Sequence, residues 1–173
     1  MAPAPARTLL LRRSALADEL ICVAPSHIDQ IWPHVSHFIA TALKRGCSDY
    51  RLDYIHAKLK AGEALLWVVW DQKTFAAAAT TEICSMLGEG RLLVITAHGG
   101  QDKLWDKYLP ELEKYAAAEG CDRVRLYGRH GWIRVLRDHG YTQPWIALEK
   151  RIQVDGTEFA NHHAGAEPSA NVG

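Results

Sequence analysis

The residues of this chain best suited to chemistry stand at the end of one apolar run. Leu92, Leu93, Val94, Ile95 and Thr96 are followed by Ala97, His98, Gly99 and Gly100, and then by an amphipathic stretch that closes at Gly120. A short, partly β-branched apolar run stopped by two glycines reads as a strand buried on both faces. Leu104, Trp105, Tyr108, Leu109, Leu112, Tyr115 and Ala116 then recur at helical spacing. A glycine turn between strand and helix leaves backbone N–H groups and the positive end of the helix dipole facing the turn, which suits an anion such as a phosphate. Alternatively, Gly99-Gly100 makes only a tight connection. His98 ends the same strand and has a near-neutral intrinsic pKa. Further back, an alternating strand through Phe75–Leu87 would put Glu82 and Cys84 on one face.

Composition bounds what these residues can serve. The chain has 173 residues, with 20 Lys and Arg balanced by 20 Asp and Glu, which is enough for one domain that buries roughly 70% of its unfolded surface. Balanced charge gives no electrostatic case for nucleic acid or an anionic membrane as partner. No apolar run approaches the roughly 18 residues of a membrane helix, so the expectation is a soluble, cytoplasmic protein. Cys22, Cys47, Cys84 and Cys121 lack any C-x-x-C spacing and read as reduced thiols, with neither a zinc site nor a redox pair. The histidines fall in no metalloprotease-like spacing; His34 and His37 share a helix face and His162-His163 lie in a polar stretch, so no metal site is expected.

The elements that must position the candidates follow in order. Glu19 to Ala24 is a first strand, ended by Pro25-Ser26, with Ser26 as cap of a helix whose stripe runs Ile28, Ile31, Trp32, Val35, Phe38, Ile39, Ala42, Leu43. Pro33 falls inside it and should bend it. Gly46 ends it. Ser48 caps a second helix with Leu52, Ile55, His56 and Leu59, closed by Gly62, and the two helices lie side by side. Ala64–Trp70 and Phe75–Leu87, joined by Asp71-Gln72-Lys73-Thr74, form an antiparallel hairpin. After the central strand and long helix, Arg123–Tyr127 is a strand, Gly128–Gly131 a polar turn, Trp132–Leu136 a short helix ended by His139-Gly140, and Tyr141–Ile152 one or two closing strands. Trp32, Trp67, Trp70 and Trp105 lie on apolar stripes and belong to the core. Residues 1–18 read as a flexible leader, 19–153 as the domain and 154–173 as a disordered tail.

This succession is similar to the GNAT superfamily of N-acetyltransferases, over about Leu20 to Ile152. Local wording agrees: Trp132-Ile-Arg-Val-Leu-Arg-Asp-His-Gly-Tyr141 resembles that family's short helix with its Gly-aromatic ending. The chain also resembles compact, divergent GNAT-like proteins of bacteriophage genomes. The resemblance implies an α/β (α+β) fold: a single mixed, mostly antiparallel twisted sheet with helices on both faces, whose fourth and fifth strands splay apart to receive acyl-CoA.

By that resemblance the backbone of Val94, Ile95 and Thr96 would pair with the pantetheine arm of acetyl-CoA or another acyl-CoA. The N–H groups of Gly99, Gly100, Gln101 and Lys103 would face the pyrophosphate. The acceptor side would be formed by Thr81, Glu82 and Cys84 with Arg45 and Tyr50, and Arg129 and His130 would complete a polar rim. His98, Glu82 and Tyr127 are the catalytic candidates, with His98 expected to handle the proton. Two departures stand out. His98-Gly99-Gly100-Gln101-Asp102-Lys103 replaces the family's glycine-rich pyrophosphate loop, and Leu136 stands where the short helix often carries a proton-donating tyrosine. Two functions therefore stay open. One is an acyltransferase acting on a small-molecule or protein amine. The other is a catalytically inactive GNAT-like binding or assembly module, possibly in a homo-oligomer or phage particle.

Overall fold

The computed structural model describes residues 18–46, 50–86, 88, 90–100, 104–128 and 131–144. By backbone contacts the chain forms two compact units, Met1–Thr142 and Gln143–Gly173, and the elements described here belong to the first. These are β1 (Glu19–Val23), α1 (Ile28–Arg45), α2 (Leu52–Ala61), β2 (Leu65–Trp70), β3 (Phe75–Ser85), β4 (Arg91–Gly100), α3 (Leu104–Ala118), β5 (Arg123–Leu126) and α4 (Gly131–Arg137). The strands form one sheet in the order β1-β2-β3-β4-β5. Its first three pairings are antiparallel, and β5 runs parallel to β4.

Helices cover both faces because the strands alternate two apolar sets. Leu66, Val68 and Ala78 pack with Val35 and Ile39 of α1 and with Ile55 and Leu59 of α2. Trp67, Val69, Ala77 and Ala79 face the other way, onto Trp105, Tyr108, Leu109 and Leu112 of α3 and Leu136 of α4. The helical spacing read in the sequence is what sets these stripes. No helix among the described residues is long and apolar enough to cross a membrane, and no group of three His, Cys, Asp or Glu side chains among them could hold a metal ion. Cys22, Cys84 and Cys121 are free thiols.

Local details differ from expectation. Ser26 does not cap α1: Pro25–His27 forms a 3₁₀ turn, and α1 begins at Ile28 without a side-chain cap. Proline starts such a turn readily, since its fixed φ suits a first helical position. Helix α1 runs on through Pro33. Ser48 lies outside the described residues, and α2 starts after Arg51, again without a side-chain cap. Gly62 ends α2 in the left-handed region, φ 72°, where glycine carries no Cβ penalty. Tyr141–Pro144 is not a strand; the rest of the proposed closing strands, residues 1–17 of the leader and the tail lie outside the described residues.

Candidate functional site

Strand β4 changes character half-way. Thr80 pairs with Ala97 but Thr81 pairs with Ile95, which leaves Thr96 as an extra residue in β4. That is a β-bulge. Thr96 is pinned there: its Oγ1 donates to the carbonyl oxygen of Thr80 at 3.1 Å and lies 2.7 Å from Thr80 Oγ1, both side chains being buried. In an unbroken strand Leu93, Ile95 and Ala97 would share a face. Here the first two join the α3 cluster and Ala97 the α1 cluster. The slip returns His98 to the α3 side, against Trp105 and Trp132.

The bulge coincides with the end of the β4–β5 pairing, whose last pair is Ile95 and Leu126. From Thr96 to Gly100, β4 has a partner strand only on its β3 side among the described residues. Two expectations are corrected by this geometry. Val94 and Ile95 have partners on both sides, Glu82 and Arg125 for Val94, Thr81 and Leu126 for Ile95, so the open backbone begins at Thr96. Gly99 and Gly100 form no turn; they continue the strand opposite Ala78 and Ala77. A Cβ on Gly99 would stand 2.4 Å from the carbonyl oxygen of Phe38 in α1, and one on Gly100 2.4 Å from Cβ of Ala77. These glycines let neighbouring backbones approach closely. Gln101 and Lys103 lie outside the described residues, as do Arg129 and His130.

Along this open edge lies a cavity of about 390 Å³. Phe38, Thr41, Ala42 and Arg45 of α1 form one wall, Thr96 to Gly100 the floor, and Tyr127, Gly128 and Trp132 the far side. His98, Thr96 and Tyr127 thus meet in one place. Tyr127 follows directly on β5 and is 43% exposed. The His98 ring sits 4.5 Å from that of Trp132, edge-on, and 6.0 Å from that of Trp105. Its Nε2 is buried without a partner among the described residues. Burial among these rings lowers its pKa to about 4, because the imidazolium cannot be solvated there. A histidine so placed is neutral at physiological pH but a weak base, poorly matched to the near-neutral proton transfer expected of it.

Glu82 is elsewhere and already engaged. It is buried, points to the α2 side, and accepts from Lys58 Nζ at 2.5 Å; it does not line the cavity. Helix α2 covers Glu82, through Lys58. Lys58 also lies 5.4 Å from the centre of the Tyr54 ring, which stacks on Tyr50 at 6.3 Å. Burial opposes its charge, but the hydrogen bond and charge of Glu82 hold the ammonium above its usual pKa. Burial and the nearby Glu82 carboxylate push the Tyr50 hydroxyl up, with Cys84 and Tyr127 close enough to add to the effect. Sequence reasoning missed Lys58 and Tyr54, although they stand four residues apart in α2 and so share a face. Leu136 is a core residue at 6% exposure.

No family model and no curated sequence matches this chain. Solved structures do. An aminoglycoside N-acetyltransferase in complex with CoA superposes with a TM-score of 0.60 at 10% identity, over 83% of this chain and 100% of that one. A GNAT family acetyltransferase of Staphylococcus aureus gives 0.56 at 10% identity, over 78% and 98%. Glucosamine-6-phosphate N-acetyltransferase from Arabidopsis thaliana gives 0.57 at 10% identity, over 79% and 99%. At such identities the likeness concerns architecture alone, here a mixed five-stranded sheet with helices packed against it. This chain has the α+β fold of the GNAT acetyltransferases.

Proposed function

We propose that this protein is an N-acyltransferase that moves an acetyl or related acyl group from acyl-CoA to an amine. One observation carries the reading: among the described residues β4 has no second partner strand from Thr96 to Gly100, beside a cavity large enough for an extended chain. Solved neighbours of the same fold hold CoA or acetyl-CoA. Pantetheine is an extended chain with two amides, and it can add to an open strand edge as a peptide does. Thr96 to Gly100 supply the backbone groups, and the apolar walls from Phe38, Ala42 and Trp132 exclude water. The N–H groups of Gly99 and Gly100, with Gln101 and Lys103, remain the proposed route toward the phosphates.

In the reaction the neutral amine attacks the thioester carbon, the C–N bond forms, the C–S bond breaks and the thiolate takes up a proton, while the nitrogen releases one proton to solvent, from which the donor to the thiolate is reprotonated. Positioning supplies most of the acceleration. Tyr127, at the cavity wall beside the bulge, is the proposed proton donor to the thiolate. His98 stays neutral and offers its unpartnered Nε2 as a hydrogen-bonding group. Glu82 and Lys58 act as a fixed pair on the acceptor side. A second reading, binding without turnover, draws on Leu136 and on the use of Gly99 and Gly100 for packing. In that reading the domain holds acyl-CoA or a component of an assembly such as a phage particle.

Ligand at 100 times its Kd stabilises by about 2.7 kcal/mol, so acetyl-CoA should raise Tm by about 5 °C or more in a domain of this size. Absence of any shift at millimolar acetyl-CoA, with no heat of binding by calorimetry, would sink the reading. Tyr127→Phe should lower turnover by about 10²-fold while leaving acetyl-CoA affinity unchanged. Acetyl-CoA binding without transfer to any amine would select the second reading.

A further inference from the structure

We infer that the acceptor amine also carries an anionic group, a carboxylate or phosphate, and that Arg45 recognises it. The inference rests on the acyltransferase reading and names the class of its second substrate. Arg45 is the last residue of α1 and lines the cavity. Its position along the cavity follows from the packing. Phe38 abuts Gly99, and Arg45 lies about 10 Å further along the helix from it. Thr96 lies about 10 Å back along β4 from Gly99. Shortly beyond Arg45 the chain reaches Tyr50, which is within electrostatic reach of Glu82 and Tyr127. Arg45 thus lines the same cavity as Thr96 and Tyr127, beside which the thioester is proposed to lie.

Charge at this end is one-sided among the described residues. Arg45 is the only ionised side chain among those lining the cavity, whose one histidine, His98, is neutral. No carboxylate lines it. The carboxylate on the neighbouring α2 side, Glu82, is 8% exposed and is closed by Lys58 at 2.5 Å. A polyamine entering here meets an arginine and, among the described residues, no carboxylate. An amine with a phosphate or carboxylate meets a guanidinium whose fork matches either anion.

The test uses three amines that share one aminoethyl unit: ethylamine, 2-aminoethyl phosphate and 1,2-diaminoethane. For the full chain with saturating acetyl-CoA, kcat/KM for 2-aminoethyl phosphate should exceed that for ethylamine by about tenfold or more. The diamine should be the poorest acceptor. Arg45→Gln should collapse the phosphate preference, and Arg45→Lys should restore part of it. The inference is overturned if the diamine matches or surpasses the phosphate, or if the preference survives in Arg45→Gln. If acetyl-CoA does not bind, the acyltransferase reading falls by itself. Calorimetry of the three amines against the unloaded protein then decides Arg45 separately: tighter binding of the phosphate, lost in Arg45→Gln, upholds it, and equal binding refutes it.

Discussion

Strand β4 contains two regions built on opposite rules. From Leu92 to Ile95 every residue is apolar and buried and has a partner on both sides. From Thr96 to Gly100 the residues are small or polar, and among the described residues a partner strand stands on one side only. The first region gains stability from contact area and tolerates no loss of volume. The second carries no aliphatic side chain larger than Ala97 and ends in two glycines, and what it offers is backbone held in place by neighbouring elements. An open edge is ordinarily a liability. Here Phe38, Tyr127 and Trp132 line a cavity beside it, where the proposed acyl-CoA would pair with it.

Mutations of opposite sense should therefore injure the two regions. Leu93, with no exposed surface, should lose about 3 kcal/mol on replacement by Ala through the cavity left behind. Gly100→Ala should be worse although it adds a single carbon. Its Cβ would lie 2.4 Å from that of Ala77, and the φ of +124° is strained for any L side chain. Together these should amount to about 4 kcal/mol, or a Tm lower by about 8 °C or more. Thermal unfolding of both variants measures this. If Gly100→Ala falls within about 1 kcal/mol of the parent, the end of β4 is held loosely and the contrast between the regions collapses.

The same contrast explains what was legible in the sequence. The apolar half of β4, the hairpin and the stripes of α1 and α3 follow from periodicity, because burial of side chains is what specifies them. The bulge left no trace: in Leu92 to Ile95 both faces are apolar, so no alternation exists against which a slip could show. Gly99 and Gly100 were read as a turn because glycine ordinarily interrupts strands. Their real constraint is tertiary, the approach of Phe38 and Ala77. Glu82 misled for a related reason, since its partner Lys58 lies on α2, 24 residues earlier. The cavity joins α1, β4 and the start of α4, and no local pattern relates those segments.

His98 allows a smaller and more selective test. Unfolded histidine titrates near 6.5, whereas folded His98 titrates at about 4. Above pH 6.5 both states are neutral and the difference vanishes. Below it the unfolded chain takes up a proton that the folded chain refuses, so stability is lost as pH falls from about 6.5 toward 4. The loss attributable to His98 should be on the order of 2–3 kcal/mol by pH 4.5. His98→Phe keeps a ring between Trp105 and Trp132 and cannot titrate. Urea unfolding at pH 7 and 4.5 should show a smaller acid sensitivity in the variant by that amount. Equal losses in the two proteins would mean that His98 is solvated and that the dry cavity wall described here is wrong.

The smallest effect concerns the junction between the two regions. Thr96→Val keeps the β-branched shape but removes the donor to the Thr80 carbonyl and the contact with Thr80 Oγ1. Leaving buried polar atoms unsatisfied should reduce stability by about 1–2 kcal/mol. The bulge itself should survive, because the packing of Gly99 on Phe38 and of Gly100 on Ala77 fixes the register beyond it independently. The His98 ring protons should thus keep the chemical shifts imposed by the Trp132 ring, 4.5 Å away. Adding Thr80→Val should recover part of the loss, since the side-chain oxygen orphaned by the first change is then gone. If the single variant instead moves the His98 signals toward those of an unstructured histidine, the two hydroxyls alone hold the slip. Thr96 would then be the residue that determines where β4 opens, and acetyl-CoA affinity should fall with it.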